Sequence, residues 1–190
     1  MKRWMTALAM ASLTTLTHAV EVGGVPVEET ARIAPDAEPL VLNGAGVRKK
    51  FFFRVNVVAL YLPAKSSAAD EIVSMPGSKR VTLVMLRDVG AQQFIDAFNE
   101  GVQNNTAPDE AERLRPQRTQ FESLMRELRE VKKGDVVHLD YRPGVGTTLA
   151  LNGHQKGKAI EGEAFYRALL RNWLGERPAD EDLKRALTGG

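Results

Sequence analysis

The 190-residue chain contains no cysteine, so disulfides, thiolate metal ligands and thiol nucleophiles are excluded. Histidine is scarce, with three in the whole sequence, and aromatic residues make up 6%. No apolar run reaches the roughly 20 residues that a membrane-spanning helix needs. The sequence therefore predicts no metal, no cofactor and no membrane span in the mature chain.

The N-terminus has the pattern of a bacterial export signal. Lys2 and Arg3 precede an apolar run over residues 4–16, and small residues at positions 17 and 19 suit a signal peptidase. Cleavage after Ala19 would leave a domain of residues 20–190. Because no cysteine is present to carry a lipid anchor, we expect a periplasmic protein.

The charge balance argues against nucleic-acid binding. The chain has 26 basic and 24 acidic residues, and Lys2 and Arg3 of the signal account for the whole excess. A nucleic-acid binder usually keeps a clustered basic surface, which the interspersed charges of the mature chain do not provide. Its length suits one domain with one full core, and we expect a monomer.

Residues 22–62 predict the first part of a sheet. A strand or hairpin edge is expected over 22–27 around Gly23 and Gly24, and Leu40 to Asn43 continues the sheet. Residues 47–62 are rich in Val, Phe and Tyr, which predicts one long strand or two strands joined near Lys49 and Lys50. The segment Gly44-Ala45-Gly46 indicates a turn or bulge rather than a phosphate-binding loop, because a strand follows it.

The remaining pattern alternates helices and strands. Strands are predicted at 79–89, 136–142, 147–151 and 156–160, with Asn152-Gly153 as a hairpin turn. Helices are predicted at 70–74, 94–105, from Pro116 to about 131, at 163–174 and shortly after Pro178. Strands, then helices, then a hairpin, then helices favour an α+β fold in which helices cover an antiparallel sheet.

Two catalytic or metal-binding interpretations are weak. His138 and Asp140 share one face of a predicted strand and His154 lies just past a predicted hairpin tip, but two histidines with no third strong ligand nearby make a poor metal site. A serine hydrolase is also disfavoured, because no serine lies in a nucleophile elbow or beside a histidine.

Arg48 is the residue whose setting needs explanation, since it enters a strongly apolar, strand-forming run. If the strand is regular, Arg48 and Asn56 share an otherwise apolar face. Such a face could bind an apolar molecule with an anionic head group. Alternatively, Arg48 pairs with a carboxylate such as Glu161 at the sheet margin. The residues alone leave both possibilities open.

The sequence resembles the chalcone isomerase family, and more narrowly its exported bacterial members. The resemblance rests on the Gly-x-Gly-Val-Arg segment that ends at Arg48, the strand ending at Leu62, the strand 79–86 with the Gln93-Phe94 helix, and Ala159-Ile160-Glu161-Gly162. It covers nearly all of residues 20–188. It implies an open-faced β-sandwich, in which a large antiparallel sheet is covered by a layer of helices with a ligand cleft between them.

The resemblance also implies roles for three residues. Arg48 matches the arginine that binds an oxyanionic substrate in the plant enzymes, whereas their threonine and tyrosine positions fall at Asn56 and Phe94. Fatty-acid-binding members keep the arginine and place a tyrosine near the Asn56 position to hold a carboxylate. The implied site is therefore Arg48, Asn56 and Phe94.

Three functions follow as hypotheses. The first is non-catalytic binding of a fatty acid or similar apolar anion, anchored by Arg48. The second is an isomerase of the intramolecular lyase type that acts on a chalcone-like phenolic substrate, which Phe94 opposes because it has no hydroxyl to stabilise an enolate. The third is an envelope-maintenance module without a small ligand.

Overall fold

The computed structural model describes residues 19–189. Residues 1–18 of the predicted export signal lie outside this range. The strands are β1 Ala19–Val22, β2 Val25–Glu28, β3 Thr30–Ala31, β4 Leu40–Lys50, β5 Phe53–Leu62, β6 Lys79–Met85, β7 Val89–Gly90, β8 Glu130–Val131, β9 Val136–Arg142, β10 Gly146–Leu151 and β11 His154–Ile160. The helices are α1 Ala69–Ser74, α2 Ala91–Asn105, α3 Pro108–Arg113, α4 Arg115–Leu128, α5 Glu163–Leu174 and α6 Glu181–Leu187.

Seven strands form one antiparallel sheet in the order β11-β10-β9-β6-β5-β4-β3. Helices α2, α4, α5 and α6 pack on one face of this sheet. Large apolar residues from both layers fill the space between them, including Leu60, Leu83, Phe98, Phe165 and Tyr166. The predicted α+β architecture, an antiparallel sheet covered by helices, is confirmed.

The opposite face of the sheet is covered in part by the β1–β2 hairpin. Val27 of this hairpin packs with Val57, Ala59 and Tyr61 of β5 in a second, smaller core. The tight turn at Gly23 and Gly24 requires positive φ at both residues, which glycine adopts easily. The hairpin predicted around these glycines is present.

Strands β4 and β5 form a hairpin, so the second of the two predicted alternatives is correct. The turn lies at Phe51 and Phe52, two residues beyond the predicted junction. Register shifts occur between Leu42 and Gly44 and directly after Arg48. The Gly44-Ala45-Gly46 segment is therefore part of a bulged strand.

Gly44 and Gly46 allow α6 to lie against β4. A Cβ at Gly44 would overlap the carbonyl oxygen of Ala186, and one at Gly46 would lie 2.8 Å from the Ala186 Cβ. Glycine is thus needed for the close approach of a helix, and positive φ is not the reason at either position.

Several boundaries differ from those predicted. Strand β6 ends at Met85, four residues earlier than expected, and the short helix α3 was not predicted. Helix α6 starts at Glu181, where the side chain of Asp180 accepts a hydrogen bond from the Leu183 amide.

The Asn152-Gly153 turn, with positive φ at both residues, joins β10 to β11 as predicted.

Candidate functional site

The site begins with one cross-strand pair on the helix-covered face of the sheet. Arg48 of β4 lies directly opposite Asn56 of β5, and Asn56 lies opposite Met85 of β6. Because side chains alternate along each strand, the neighbours Val47 and Val57 belong to the other core. The sequence predicted the shared face correctly, although through a single regular strand rather than a hairpin.

Asn56 is 3% exposed and incompletely hydrogen bonded. Its Oδ1 has no partner among the described residues, and its Nδ2 lies 4.0 Å from the Met85 Sδ. A buried amide oxygen without a donor carries a desolvation penalty of about 1–3 kcal/mol. A half-turn of the amide exchanges its oxygen and nitrogen, so this group can offer either a donor or an acceptor.

Arg48 is half-buried and takes part in no salt bridge within residues 19–189. Burial lowers the pKa of Arg48, and the carboxylates of Asp180 and Glu100 partly offset this effect. The guanidinium still stays charged at any ordinary pH. It is therefore a partly desolvated cation without a directly bonded counter-ion.

The nearby Asp180 is engaged elsewhere. One of its oxygens caps α6 by accepting from the Leu183 amide at 3.1 Å, and the other accepts from the Lys49 amide at 3.0 Å. The alternative partner, Glu161, follows β11 at the opposite edge of the sheet from β4. The suggested Arg48–Glu161 pair is absent because four strands lie between β4 and β11.

Arg48, Asn56 and Phe94 line a common cavity of about 70 Å³ between the sheet and the helices. Phe94 is on the first turns of α2 and packs at the edge of the main core. The other large lining side chains are Leu83, Phe98, Phe121, Leu139, Leu169 and Trp173. The structure thus brings all three predicted site residues together in a mainly apolar cleft.

Two further spaces at the mouth of the cleft share lining residues with this cavity. Arg48 and Ala97 also line a space of about 130 Å³ towards Phe51 and Phe53, and another of about 240 Å³ towards Arg177. Pockets for small molecules usually have volumes of about 300–1,000 Å³. The inner cavity alone is too small for a long acyl chain, so a ligand must extend into these spaces or displace side chains.

Asn172 of α5 is a buried polar residue that the sequence analysis missed at this site. It lines the cavity, and its Nδ2 donates to the Ala168 and Leu169 carbonyl oxygens of its own helix. A Cβ at Gly101 of α2 would overlap Asn172 Oδ1, so this glycine lets the two helices approach closely. The helical periodicity of α5 did not identify Asn172 as a site residue, because Asn172 lies among apolar residues that are typical of a core.

None of the described residues that line the inner cavity carries a hydroxyl group. The polar side-chain groups of these residues are the Arg48 guanidinium, the amides of Asn56 and Asn172, and the indole N–H of Trp173. Such a set can attract and hold an anion in an apolar surrounding. It offers no side chain suited to general acid–base chemistry near neutral pH.

The residues considered for metal binding lie on the other face of the sheet and already have partners. Asp140 accepts two hydrogen bonds from Arg80, both at 2.6 Å, and His138 Nδ1 lies 3.0 Å from Thr82 Oγ1. Burial lowers the pKa of His138, with Arg80 acting in the same direction. Within residues 19–189 no three His, Asp or Glu side chains are placed to hold a metal ion together.

The family model described as chalcone isomerase-like matches residues 19–189. The chain belongs to the chalcone isomerase-like family. No curated protein matches it. Among solved structures, this family member is similar to a fatty-acid binding protein of Arabidopsis thaliana, with a TM-score of 0.66 and 14% sequence identity. The likeness covers 87% of this chain and 92% of the plant protein.

These findings confirm the resemblance noted in the sequence and the chalcone isomerase type of fold. At 14% identity the plant structure shows the fold alone. No helix of residues 19–189 in this chalcone isomerase-like protein is long and apolar enough to cross a membrane.

Proposed function

We propose that this protein binds a fatty acid or a similar apolar anion, with Arg48 as the anchor for the carboxylate. The observation that supports this function best is the setting of Arg48. The guanidinium is half-buried, has no salt bridge within the described chain and adjoins an apolar cavity. A ligand carboxylate would supply the missing acceptors, and paired N–H···O bonds would fix its orientation.

Asn56 assists this anchor in the proposed complex. After a half-turn of its amide, the Nδ2 group faces the cavity beside Arg48 and donates to the same carboxylate. The aromatic residues Phe94, Phe98 and Phe121 then contact the alkyl chain, and the Phe98 and Phe121 rings already pack with centroids 4.6 Å apart. The fatty-acid binding function of the similar plant protein is in line with this ligand class.

The alternative of an isomerase acting on chalcone-like phenols has less support. Ring closure needs donors aimed at the developing enolate oxygen. Phe94 stands where the resemblance implies a tyrosine, and the inner cavity has no hydroxyl among the described residues that line it. We propose binding rather than turnover.

We also propose that the protein acts in the bacterial periplasm after cleavage of its export signal at Ala19. The supporting observation is the N-terminal sequence, in which Lys2 and Arg3 precede the apolar run. N-terminal sequencing of the exported protein from a periplasmic extract tests this location. A chain that keeps Met1 and stays in the cytoplasm would contradict it.

Native mass spectrometry and lipid extraction of the purified protein test the ligand class. We expect an acyl ligand to co-purify, and Arg48→Ala to weaken the binding of added long-chain fatty acids by about 2–5 kcal/mol. Arg142→Ala is a matched control, because Arg142 is also half-buried but lies at the far end of β9. The proposal is wrong if no acyl ligand co-purifies and Arg48→Ala binds fatty acids as well as the parent.

A further inference from the structure

The tip of the β4–β5 hairpin exposes three consecutive phenylalanines, here called the phenylalanine tip (residues 51–53). Phe51 is 85% exposed, Phe52 100% and Phe53 58%. The other large apolar residues exposed within 19–189 are Val20 and Val145, which stand singly. Contiguous exposed apolar surface of this kind marks a site of interaction.

Folding gives no reason for phenylalanine at positions 51 and 52. Neither core includes Phe51 or Phe52. Phe51 has a positive φ of 56°, a conformation that Asn or Gly adopts with less strain. Phe51 and Phe52 are therefore explained neither by the turn nor by packing.

Basic residues surround the phenylalanine tip. Lys49, Lys50 and Arg54 flank it on the hairpin, and all three are exposed. The Arg87 guanidinium lies over the Phe53 ring, 4.7 Å from its centroid. Three acidic residues are nearby: Asp88 accepts from the Lys133 amide at 2.7 Å, Asp180 accepts from the Lys49 amide at 3.0 Å and also caps α6, and Glu100 lies across the space lined by Lys49.

Aromatic side chains ringed by cations match the surface of an anionic bilayer. Aromatic rings enter the boundary between head groups and acyl chains, and each basic residue near an anionic surface adds attraction. A protein partner would need a complementary acidic and apolar pocket of fixed shape. The bilayer requires only the exposed rings and the surrounding positive charge that the tip provides.

The tip also adjoins the ligand cleft. Phe51 and Phe53 line the space of about 130 Å³ that shares Arg48, Phe94 and Ala97 with the inner cavity. A surface that contacts the tip therefore meets the mouth of the cleft. An acyl chain leaving a bilayer at this point would enter a space that Arg48 itself lines, beside the apolar side chains of Phe53, Val55 and Phe94.

We propose that the phenylalanine tip docks on anionic lipid bilayers and places the mouth of the cleft against them. Docking depends on the tip and its basic neighbours alone. Its use as a route for loading or delivering the ligand rests on the proposed fatty-acid binding function. The two proposals are separable, because docking is measured on vesicles without added fatty acid.

Vesicle flotation tests the docking. The protein is purified as the expression host has processed it, and mass spectrometry establishes where its N-terminus lies. Parent and variants are compared only when they share the same N-terminus. We expect binding to phosphatidylglycerol vesicles that exceeds binding to phosphatidylcholine vesicles and weakens as salt is added. Phe52→Ser should reduce the binding about tenfold, since a whole phenyl ring no longer enters the bilayer.

Two controls define the result. Val145→Ser removes an exposed apolar residue from the turn before β10, at the opposite end of the sheet, and should bind vesicles like the parent. Phe52 lines none of the three spaces that share Arg48, so Phe52→Ser should bind fatty acid in free solution like the parent. Loss of docking with ligand binding kept would support the tip as a separate lipid contact.

A tryptophan reporter gives a second measurement. Phe52→Trp should show fluorescence that brominated phosphatidylglycerol quenches, whereas Val145→Trp should not. The proposal is overturned if Phe52→Ser floats with vesicles as the parent does, or if the Phe52→Trp emission is not quenched. A parent dimer in sedimentation velocity that Phe52→Ser converts to a monomer would also overturn it, because the tip would then contact a second copy of the chain.

Discussion

Arg48 and Asn56 are cross-strand partners on β4 and β5, and each has unused hydrogen-bonding capacity towards the same cavity. Arg48 has no salt bridge within residues 19–189, and the buried Asn56 Oδ1 has no donor there. Buried polar groups without partners in a native protein call for an explanation, such as a role in ligand binding. The pair therefore permits a direct test of whether Arg48 binds a ligand carboxylate.

Asn56→Asp should supply that carboxylate from within the protein. The new side chain lies opposite Arg48 and is expected to pair with it, so the variant should unfold at the same temperature as the parent or higher. Binding of a long-chain fatty acid should weaken by about 2–5 kcal/mol, because its carboxylate loses the cation and meets a like charge. Calorimetric titration and thermal unfolding measure the two effects.

Asn56→Leu is the control for Asn56→Asp, because it removes the amide without adding a negative charge. It has no carboxylate to compete with the ligand, so binding should weaken by only about 1 kcal/mol. If Asn56→Asp binds fatty acids as tightly as the parent, Arg48 does not anchor the ligand carboxylate.

The shared face of Arg48 and Asn56 was predicted from alternation along one regular strand, but the register of the β4–β5 hairpin produces it, by placing the two residues directly opposite each other. What the sequence could not locate was the turn at Phe51 and Phe52. Residues 51–53 resemble a buried strand in composition, yet the structure exposes all three. Local propensity and hydrophobicity cannot indicate this exposure, because it follows from the assembled sheet, in which neither core of residues 19–189 includes the tip.

The role of the glycines also could not be predicted from local sequence. Gly44 and Gly46 precede Arg48 and indicated a turn or bulge. Their main effect is that, without a Cβ, they allow α6 to pack closely against β4, and α6 lies about 140 residues later in the chain. The hairpin at Asn152 and Gly153 was predictable because its signal is contained within the turn itself. Contacts between distant segments accordingly account for most of what the sequence left open.

Ala97→Phe should block ligand binding without unfolding the protein. Ala97 is half-buried on α2 and lines all three spaces that meet at Arg48. A phenyl ring there would occupy the passage needed by an acyl chain, and since the passage is open on one side the ring need not distort the core. We expect at least a tenfold loss of affinity for a long-chain fatty acid, measured by displacement of a fluorescent fatty acid.

A short-chain carboxylate is the control for Ala97→Phe. Because it needs only the anchor beside Arg48, its weak binding should change less than that of the long-chain acid. Equal losses for both ligands would place the alkyl chain elsewhere, and unchanged long-chain binding would rule out this passage.

Phe94→Tyr tests the isomerase alternative. The parent should not accelerate the cyclisation of a chalcone, because no hydroxyl from the described lining reaches the inner cavity. The Tyr variant adds one hydroxyl donor beside Arg48. One donor contributes on the order of 10²–10³ in rate at a preorganised site, and we expect a smaller gain here because the new hydroxyl is not positioned for the enolate oxygen. Clear turnover by the parent that Arg48→Ala abolishes would instead establish an enzyme; absorbance of the chalcone follows the reaction.

Because Lys79 is buried, the free energy of unfolding should increase as the pH rises. Its side chain is fully buried, its Nζ makes no hydrogen bond within the described chain, and Glu163 Oε1 lies 3.9 Å away and also pairs with Arg167. Burial lowers the pKa of Lys79 from its ordinary 10.5, more than Glu163 raises it. The unfolded chain therefore holds this proton more tightly than the folded one.

The sign of the effect follows from this difference. Below the lowered folded-state pKa, Lys79 is charged in both states and the whole penalty for burying the cation is present. Between that pKa and about 10.5 the folded state releases the proton first, so the free energy of unfolding increases with pH. Chemical denaturation from pH 7 to pH 10 should show this increase in the parent.

Lys79→Met should raise the free energy of unfolding at pH 7 by about 1–4 kcal/mol, because a flexible apolar chain replaces a poorly satisfied buried charge. The difference between the variant and the parent should shrink towards pH 10, a comparison that cancels the ionisation of tyrosines common to both proteins. Lys65→Met, at an exposed position, should leave both the stability and its pH dependence unchanged. If Lys79→Met is strongly destabilising at pH 7, the contacts of Lys79 with Glu163 and with the Tyr141 ring, 5.3 Å from Nζ, outweigh the cost of its burial.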